Sequence, residues 1–299
     1  MKSYSTLRNL YGSLTKNTAT ANLTLGDQLI NDEIRHMYAM KDFYFLHRTR
    51  TLNTIGGTQF LSLPYDVDQV ESLFVTIGTM RYTPKIIMSR EEWDLLNQVT
   101  YSSDFPRYAF VYNGQIGLWP KPTTSNLVIT INAKIKAVDL SVADYSTGNV
   151  VSIANGGTAM VGTGTSWTGN MVGRFLSVTL GNAANTGDGV WYEIGAVADG
   201  TDLTLLRAYG GLAISAATAP YAIGQMSYLP DEFHDTPVYK AAATYWFKEA
   251  DMARAEAFQG KYQADIDTYQ KMKTSPVSDL VVDDGMPRNI INPNLTVQL

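Results

Sequence analysis

Apolar and polar positions divide the chain into stretches of different character. From Leu25 onward, Leu29/Ile30, Ile34, Met37/Tyr38 and Lys41 recur at helical spacing, predicting an amphipathic helix of about five turns. A shorter helix is expected over 6–14. Strands are expected at 59–63, stopped by Pro64, and at 70–77. Ser89 stands three residues before Glu92 and just ahead of Trp93, Leu95 and Leu96, a capping box that opens a short helix. Two β-rich runs, 108–112 and 115–119, flank Asn113-Gly114, the sequence of a two-residue hairpin. Leu127, Ile129 and Ile131 alternate with Val128, Thr130 and Asn132, which predicts a strand with one buried face.

The next stretch, 141–226, changes texture. Short apolar runs at 150–154, 158–161, 174–180, 190–197, 203–207 and 220–223 are divided by Gly, Asn and Asp. Asn155-Gly156 and Asp199-Gly200 are expected as hairpin turns, because both positions tolerate positive φ. Six such strands predict a small all-β barrel or sandwich. Beyond it, 230–273 is helical again. Val238, Ala242, Tyr245 and Trp246 line one face, Phe258, Tyr262, Ile266 and Tyr269 another, and a turn near 249–252 makes an αα-hairpin. Residues 274–299 hold three prolines, Asp283-Asp284-Gly285 and no helical period, so they read as an extended arm.

Charge reinforces this division. Residues 141–230 carry 2 Lys/Arg against 5 Asp/Glu and 15 of the 24 glycines, and no lysine occurs between Lys136 and Lys240. The expected class is therefore α+β. A helical host domain with a small antiparallel sheet (1–140 and 227–273) is interrupted by an inserted all-β barrel or sandwich module (141–226) and followed by the arm (274–299).

Composition narrows the chemistry. The chain has 299 residues, of which 17% are charged, below the usual ~25%, and this favours a protein that hides surface against partners. No run of about 18 apolar residues exists, so no membrane span is expected, and the first residues lack an apolar signal core. The absence of cysteine excludes disulfides, thiolate metal sites and a cysteine nucleophile. His36, His47 and His234 are far apart in sequence and read better as packing or helix-end residues than as ligands.

Gly162-Thr-Gly164-Thr-Ser-Trp167 has Trp where a dinucleotide fingerprint needs its third Gly, and it fits a hairpin loop better. Asp66-Val-Asp68 lacks a further carboxylate at ligand spacing and reads as a solvated turn. No catalytic residue, metal or cofactor is expected. The net charge of −5, with only residues 1–50 positive, disfavours a grip on a phosphate backbone and suits a wall that DNA slides past. Eighteen tyrosines fit buried interfaces, although Tyr245, Tyr262 and Tyr269 fit helix packing equally. Trp167 and Trp191 are candidates for a contact surface on the β-module, or for its core.

Several local patterns, taken in order, resemble the phage head–tail connector (adaptor) proteins. They are Leu29-Ile-Asn-Asp-Glu-Ile-Arg35 running into Asp42-Phe43, Phe60-Leu-Ser-Leu-Pro-Tyr-Asp-Val-Asp-Gln-Val70, Ile116-Gly-Leu-Trp-Pro-Lys-Pro122, Tyr228-Leu-Pro-Asp-Glu-Phe-His-Asp235 and Phe258-Gln-Gly-Lys-Tyr262. The resemblance covers about 1–140 and 228–273. It implies a structural virion protein at the head–tail junction, assembled in the host cytoplasm. It further implies a homo-oligomeric ring of twelve copies that binds the portal protein and tail or tail-terminator proteins and passes genomic DNA during ejection without specific binding. The phrase GTGTSWT…GRFLSV…WYEI in 141–226 is similar to small β-modules of tail and fibre components. That leaves open the alternative of a tail-fibre or carbohydrate-binding virion protein. In the arm, Met286, Pro287, Ile290, Ile291 and Leu295 are the expected docking residues for the portal or a neighbouring subunit.

Overall fold

The computed structural model describes residues 1–99, 101–181, 186–215 and 218–272. The expected arm, with Met286, Pro287, Ile290, Ile291 and Leu295, lies outside the described residues. The fold is mixed α+β with several sheets.

Two helices open the chain. α1 (Tyr4–Thr15) begins at Ser3, whose hydroxyl accepts the Thr6 amide, and ends at Lys16 with φ 53°. α2 (Thr20–Ala39) begins five residues earlier than the apolar spacing predicts. Gly26 within it is required by packing: a Cβ there would stand 2.3 Å from the Tyr11 ring. That close approach outweighs the ~1 kcal/mol that glycine costs a helix interior.

Met37–Val138 forms one compact unit. Its strands are β1 (His47–Asn53), β2 (Phe60–Ser62), β3 (Val67–Ile77), β4 (Met80–Tyr82), β5 (Lys85–Ile87), β6 (Tyr108–Tyr112), β7 (Gln115–Trp119) and β8 (Val128–Ile135), with α3 (Arg90–Leu96) between β5 and β6. They form two four-stranded sheets, β1-β8-β3-β4 and β2-β7-β6-β5. Leu73, Val75, Ile129 and Ile131 of the first share a core with Leu61, Ile116 and Leu118 of the second.

The expected small antiparallel sheet is thus two sheets, and β5 pairs with β6 in parallel, Ile86 opposite Ala109. β1 has no apolar alternation and no fully buried residue, so nothing local announces it. It is a strand because β8 offers an edge, with Thr49 opposite Asn132. The 108–119 hairpin forms as expected, with Asn113 at φ 50° and Gly114 at φ 70°.

Met1–His36 and Asp139–Gln270 form the other compact unit. Its strands are β9 (Asn149–Ile153), β10 (Ala159–Thr163), β11 (Phe175–Val178), β12 (Trp191–Val197), β13 (Asp202–Leu205) and β14 (Tyr221–Gly224), in the order β14-β11-β12-β13-β10-β9. Each of the six expected runs overlaps one of them, and two, β11 and β12, lie wholly inside theirs. Bridges from Val150 to Ala219 and from Ile153 to Ile214 bring the chain leading into β14 back onto β9, so the sheet curls around its own core. Gly156 turns at φ 75°, as expected. The Asp199-Gly200 turn works otherwise: the Asp199 carboxylate accepts the amides of Thr201 (2.7 Å) and Asp202 (2.9 Å), and Gly200 needs no positive φ.

α4 (Thr236–Lys248) and α5 (Met252–Tyr269) complete this unit as an antiparallel pair. Val238, Ala242, Tyr245 and Trp246 are buried from α4, and Tyr262, Ile266 and Tyr269 from α5, whereas Phe258 is only half-buried. The cuts between compact units, at 36/37 and 138/139, differ from the expected boundaries at 140/141 and 226/227. The reason is a set of ties from the N-terminus to both ends of the β-module. The Tyr4 amide donates to the Gln225 carbonyl (2.8 Å), the Ser3 hydroxyl to the Asp144 carboxylate (2.6 Å), and the Asp144 amide to the Ser5 hydroxyl (2.9 Å).

Candidate interaction surfaces

The unit 37–138 carries an aromatic surface built around α3. The Ser89 hydroxyl accepts the Glu92 amide and starts the helix, as the capping pattern predicts. This turns Trp93, 2% exposed, inward onto Phe110, with ring centroids 5.3 Å apart and nearly parallel. Phe60 meets Trp93 edge-on at 5.9 Å, and Phe110 stacks in turn on Tyr112 at 5.8 Å, with the Arg90 guanidinium over the Tyr112 ring.

Gly117 is what admits this array, since a Cβ there would come within 2.8 Å of both Phe60 and Trp93. Beside it lies a cleft of about 320 Å³, bounded by Phe60, Arg90, Trp93, Val99, Tyr101 and Lys121 among others. Around the same segment Met88 (84%), Leu95 (63%), Val99 and Tyr101 (54%) stand exposed. Among the described residues, twelve of nineteen exposed large apolar side chains belong to 37–138.

The other unit carries a polar groove of about 530 Å³ lined by Tyr4, Asp27, Asn31, Asp32, Arg35 and Asp139, with other residues. Arg35 bridges Asp32 and Asp139. The Asn31 amide exchanges hydrogen bonds with the Leu140 backbone, donating at 3.0 Å and accepting at 2.8 Å. Gln225 stitches the same linker, accepting the amides of Ser141 and Val142 and donating to the Asp139 carbonyl. Asp27 is paired in turn with Arg8 at 3.2 Å, so three carboxylates meet two guanidiniums and the groove is mildly acidic.

Near it, the chain start is clamped. The Met1 ammonium pairs with Asp231 at 3.1 Å and Lys2 Nζ with Asp235. The Lys2 amide donates to His234 Nδ1 (3.1 Å), while His234 Nε2 faces the Leu229 carbonyl (2.8 Å). The Lys2 amide donating to Nδ1 suits a neutral ring with its proton on Nε2, and Nδ1 also lies 3.3 Å from the Lys2 carbonyl. Burial pushes its pKa below the ordinary histidine value, although the hydrogen bond to Leu229 opposes this. His234 is therefore a packed structural residue, 1% exposed, rather than a helix-end charge.

The remaining sequence candidates fall as follows. His36 is exposed and bonds to Glu33 at 3.2 Å, and His47 lies between Asp42 and Glu71. Asp66 is not a solvated turn residue. It is buried, and it accepts from Arg50 Nε at 2.9 Å and Nη2 at 2.6 Å, while Asp68 is exposed. No arrangement of residues sixteen apart in sequence announces that pair.

Trp167 is 3% exposed and donates its indole N–H to the Tyr221 hydroxyl (2.9 Å), which donates onward to the Thr147 carbonyl (2.6 Å). It is a core residue of the β-module. Trp191 is half-buried, with its carbonyl accepting from Arg207. The docking residues proposed in the arm lie outside the described residues. Among the described residues, no group of three or more His, Cys, Asp or Glu side chains is placed to hold a metal, and no helix is long and apolar enough to cross a membrane.

None of these features defines a function by itself, and the class of the protein comes from comparison with known families. Residues 2–155, just over half of the chain, match the SU10 adaptor protein family. The chain belongs to that family, and it is accordingly a structural phage adaptor of the head–tail connector class. The match spans α1, α2, the whole of 37–138 and β9. Comparison with curated proteins gives no match.

Proposed function

We propose that this chain is the repeating subunit of a ring that joins the phage portal to the tail and lines the path of the exiting genome. Membership of the adaptor family over 2–155 carries the reading. The exposed apolar side chains gathered on 37–138 support it, because a heterologous ring needs one face of each copy to dock on a different face of the next. The net charge of −5 supports passage of DNA without adhesion.

By family resemblance the ring has twelve copies and meets the portal on one side and tail proteins on the other, within the virion at the head–tail junction. In this reading 141–226 is an inserted module, supported by a core drawn wholly from its own residues between Tyr145 and Ile223. The arm 274–299 docks on the portal or a neighbouring copy through Met286, Pro287, Ile290, Ile291 and Leu295. The carbohydrate-binding alternative draws no support from Trp167, whose ring is enclosed.

Electron microscopy of the virion and of the purified chain tests the proposal. A ring beneath the portal is expected, and a peripheral spike would overturn it. Removing 274–299 is expected to leave the subunit folded but poorly incorporated.

A further inference from the structure

We infer that the aromatic cleft beside α3 is the seat of the C-terminal arm of a neighbouring copy. The inference rests on the ring reading above. The cleft is a groove floored by Trp93 and Phe60 and edged by Val99 and Tyr101, with Leu95 exposed on the adjoining turn of α3. Its fixed geometry comes from the stack of Trp93 on Phe110 and from the missing side chain at Gly117. A rigid, partly apolar groove of this size takes a few side chains of an extended peptide rather than a second globular face.

The arm has the matching chemistry. Residues 273–299 contain Val277, Leu280, Val281, Val282, Met286, Ile290, Ile291, Leu295, Val297 and Leu299 and no aromatic residue, so aliphatic knobs would meet an aromatic floor. Pro276, Pro287 and Pro293 oppose a continuous helix and favour an extended ligand.

Charge supplies the register. Lys121 lies on the cleft wall and makes no ion pair among the described residues, and the arm carries the adjacent pair Asp283-Asp284, separated from Met286 by Gly285. An aspartate on Lys121 would place Met286 and the Ile290-Ile291 pair within a few residues of the aromatic floor. Reach is ample: 27 residues at ~3.3 Å each extend to roughly 90 Å, about three times the diameter of a small domain. An arm of that length can span to the next copy in a repeating assembly.

The test uses the full-length chain with the photoreactive benzoylphenylalanine at Leu95, prepared in heavy- and light-isotope forms and mixed before irradiation. The expected result is cross-links from position 95 to peptides within 277–299 that join heavy to light copies. Lys121→Glu should lower their yield about five-fold, the upper end for one partly exposed ion pair. Asp283→Lys with Asp284→Lys in the same chain should restore it, and Lys121→Gln offers a milder variant. Cross-links confined to single copies would make the occupant the chain's own arm. Cross-links to another segment, no cross-links, or a yield indifferent to both Lys121 variants would equally overturn the inference.

Negative-stain imaging of the same sample reads the ring separately. Rings without arm cross-links sink the cleft assignment alone, and inter-copy arm cross-links without rings sink the ring alone.

Discussion

The Tyr262 hydroxyl donates to the Glu33 carboxylate at 2.7 Å, joining α5 to α2 across 229 residues of sequence, with both side chains buried. Burial, and then the bond to Glu33, hold the phenol far above its ordinary pKa, so it stays a donor at any working pH. Glu33 is further served by His36 Nδ1 at 3.2 Å. Tyr262→Phe would strip a buried carboxylate of its best donor. The expected loss is about 1.5–3 kcal/mol, the range for a hydrogen bond to a charged group. Urea unfolding checks it, and a cycle with Glu33→Gln separates the pair's coupling from lost packing.

His234 should make stability depend on pH in a defined window. Its folded pKa is lowered, so above the ordinary value of 6.5 both folded and unfolded rings are neutral. As pH falls through 6.5, the unfolded ring takes the proton first and stability declines, by at most about 1.4 kcal/mol per pH unit for one group. The loss levels off only below the folded value. The groups acting on the ring are the Leu229 and Lys2 backbone, the Met1 ammonium and Asp231, with the Lys2–Asp235 ion pair on the adjoining residues. Melting temperatures of the wild type and His234→Gln between pH 7.5 and 5 are expected to converge toward low pH. Parallel curves would show that His234 is not the titrating group.

Asp104 titrates at the other end of the scale. It accepts from the side-chain hydroxyls and backbone amides of Thr123 and Thr124, and these bonds, the Thr124 hydroxyl foremost, lower its pKa to about 2. Its contribution is complete above the ordinary value of 3.8 and fades as pH falls toward 2. Carboxyl NMR titration should place it at the bottom of the aspartate range. Asp104→Ala should loosen 122–125, seen as faster amide exchange at Thr123 and Thr124.

Trp167 and Tyr221 test what the β-module's aromatics do. Tyr221→Phe removes both the acceptor for the indole N–H and the donor to Thr147, with an expected cost of about 1–3 kcal/mol. Trp167→Ala empties the core and should cost about 3–5 kcal/mol. A Trp167→Ala protein as stable as wild type would show that the ring packs nothing.

Gly148→Ala should destabilise for two reasons at once. The residue sits at φ 80°, and an added Cβ would lie 2.5 Å from the Thr163 carbonyl oxygen and the Gly164 backbone. A cost of about 1–3 kcal/mol is expected for a side chain forced into that region, read as a drop in melting temperature.

Elements whose reasons are local were legible in advance. The 108–119 hairpin follows from Asn113-Gly114, α3 from Ser89 and Glu92, β8 from its alternation, and the six strands of 141–226 from apolar runs between turn residues. β1 was not legible, because a strand of Arg and Thr at a sheet edge needs only a neighbour with free hydrogen bonds. Asp66 was misread for a related reason, since its partner Arg50 arrives through the pairing of strands rather than through spacing. The Trp93–Phe110–Phe60 array could have been glimpsed in the aromatic content of three segments. Its convergence depends on β2, β6 and β7 lying side by side.

The amino-acid sequence by itself determined the α+β class, the order of elements and an acidic, low-charge chain resembling an adaptor, since periodicity, capping and composition act within a few residues. Only the tertiary structure decided where the compact units are cut, that His234 is buried and clamped to the chain start, that Trp167 is core, and that exposed apolar surface gathers around α3. Those outcomes depend on which distant segments meet, and burial, protonation and exposure are properties of the meeting rather than of either segment alone.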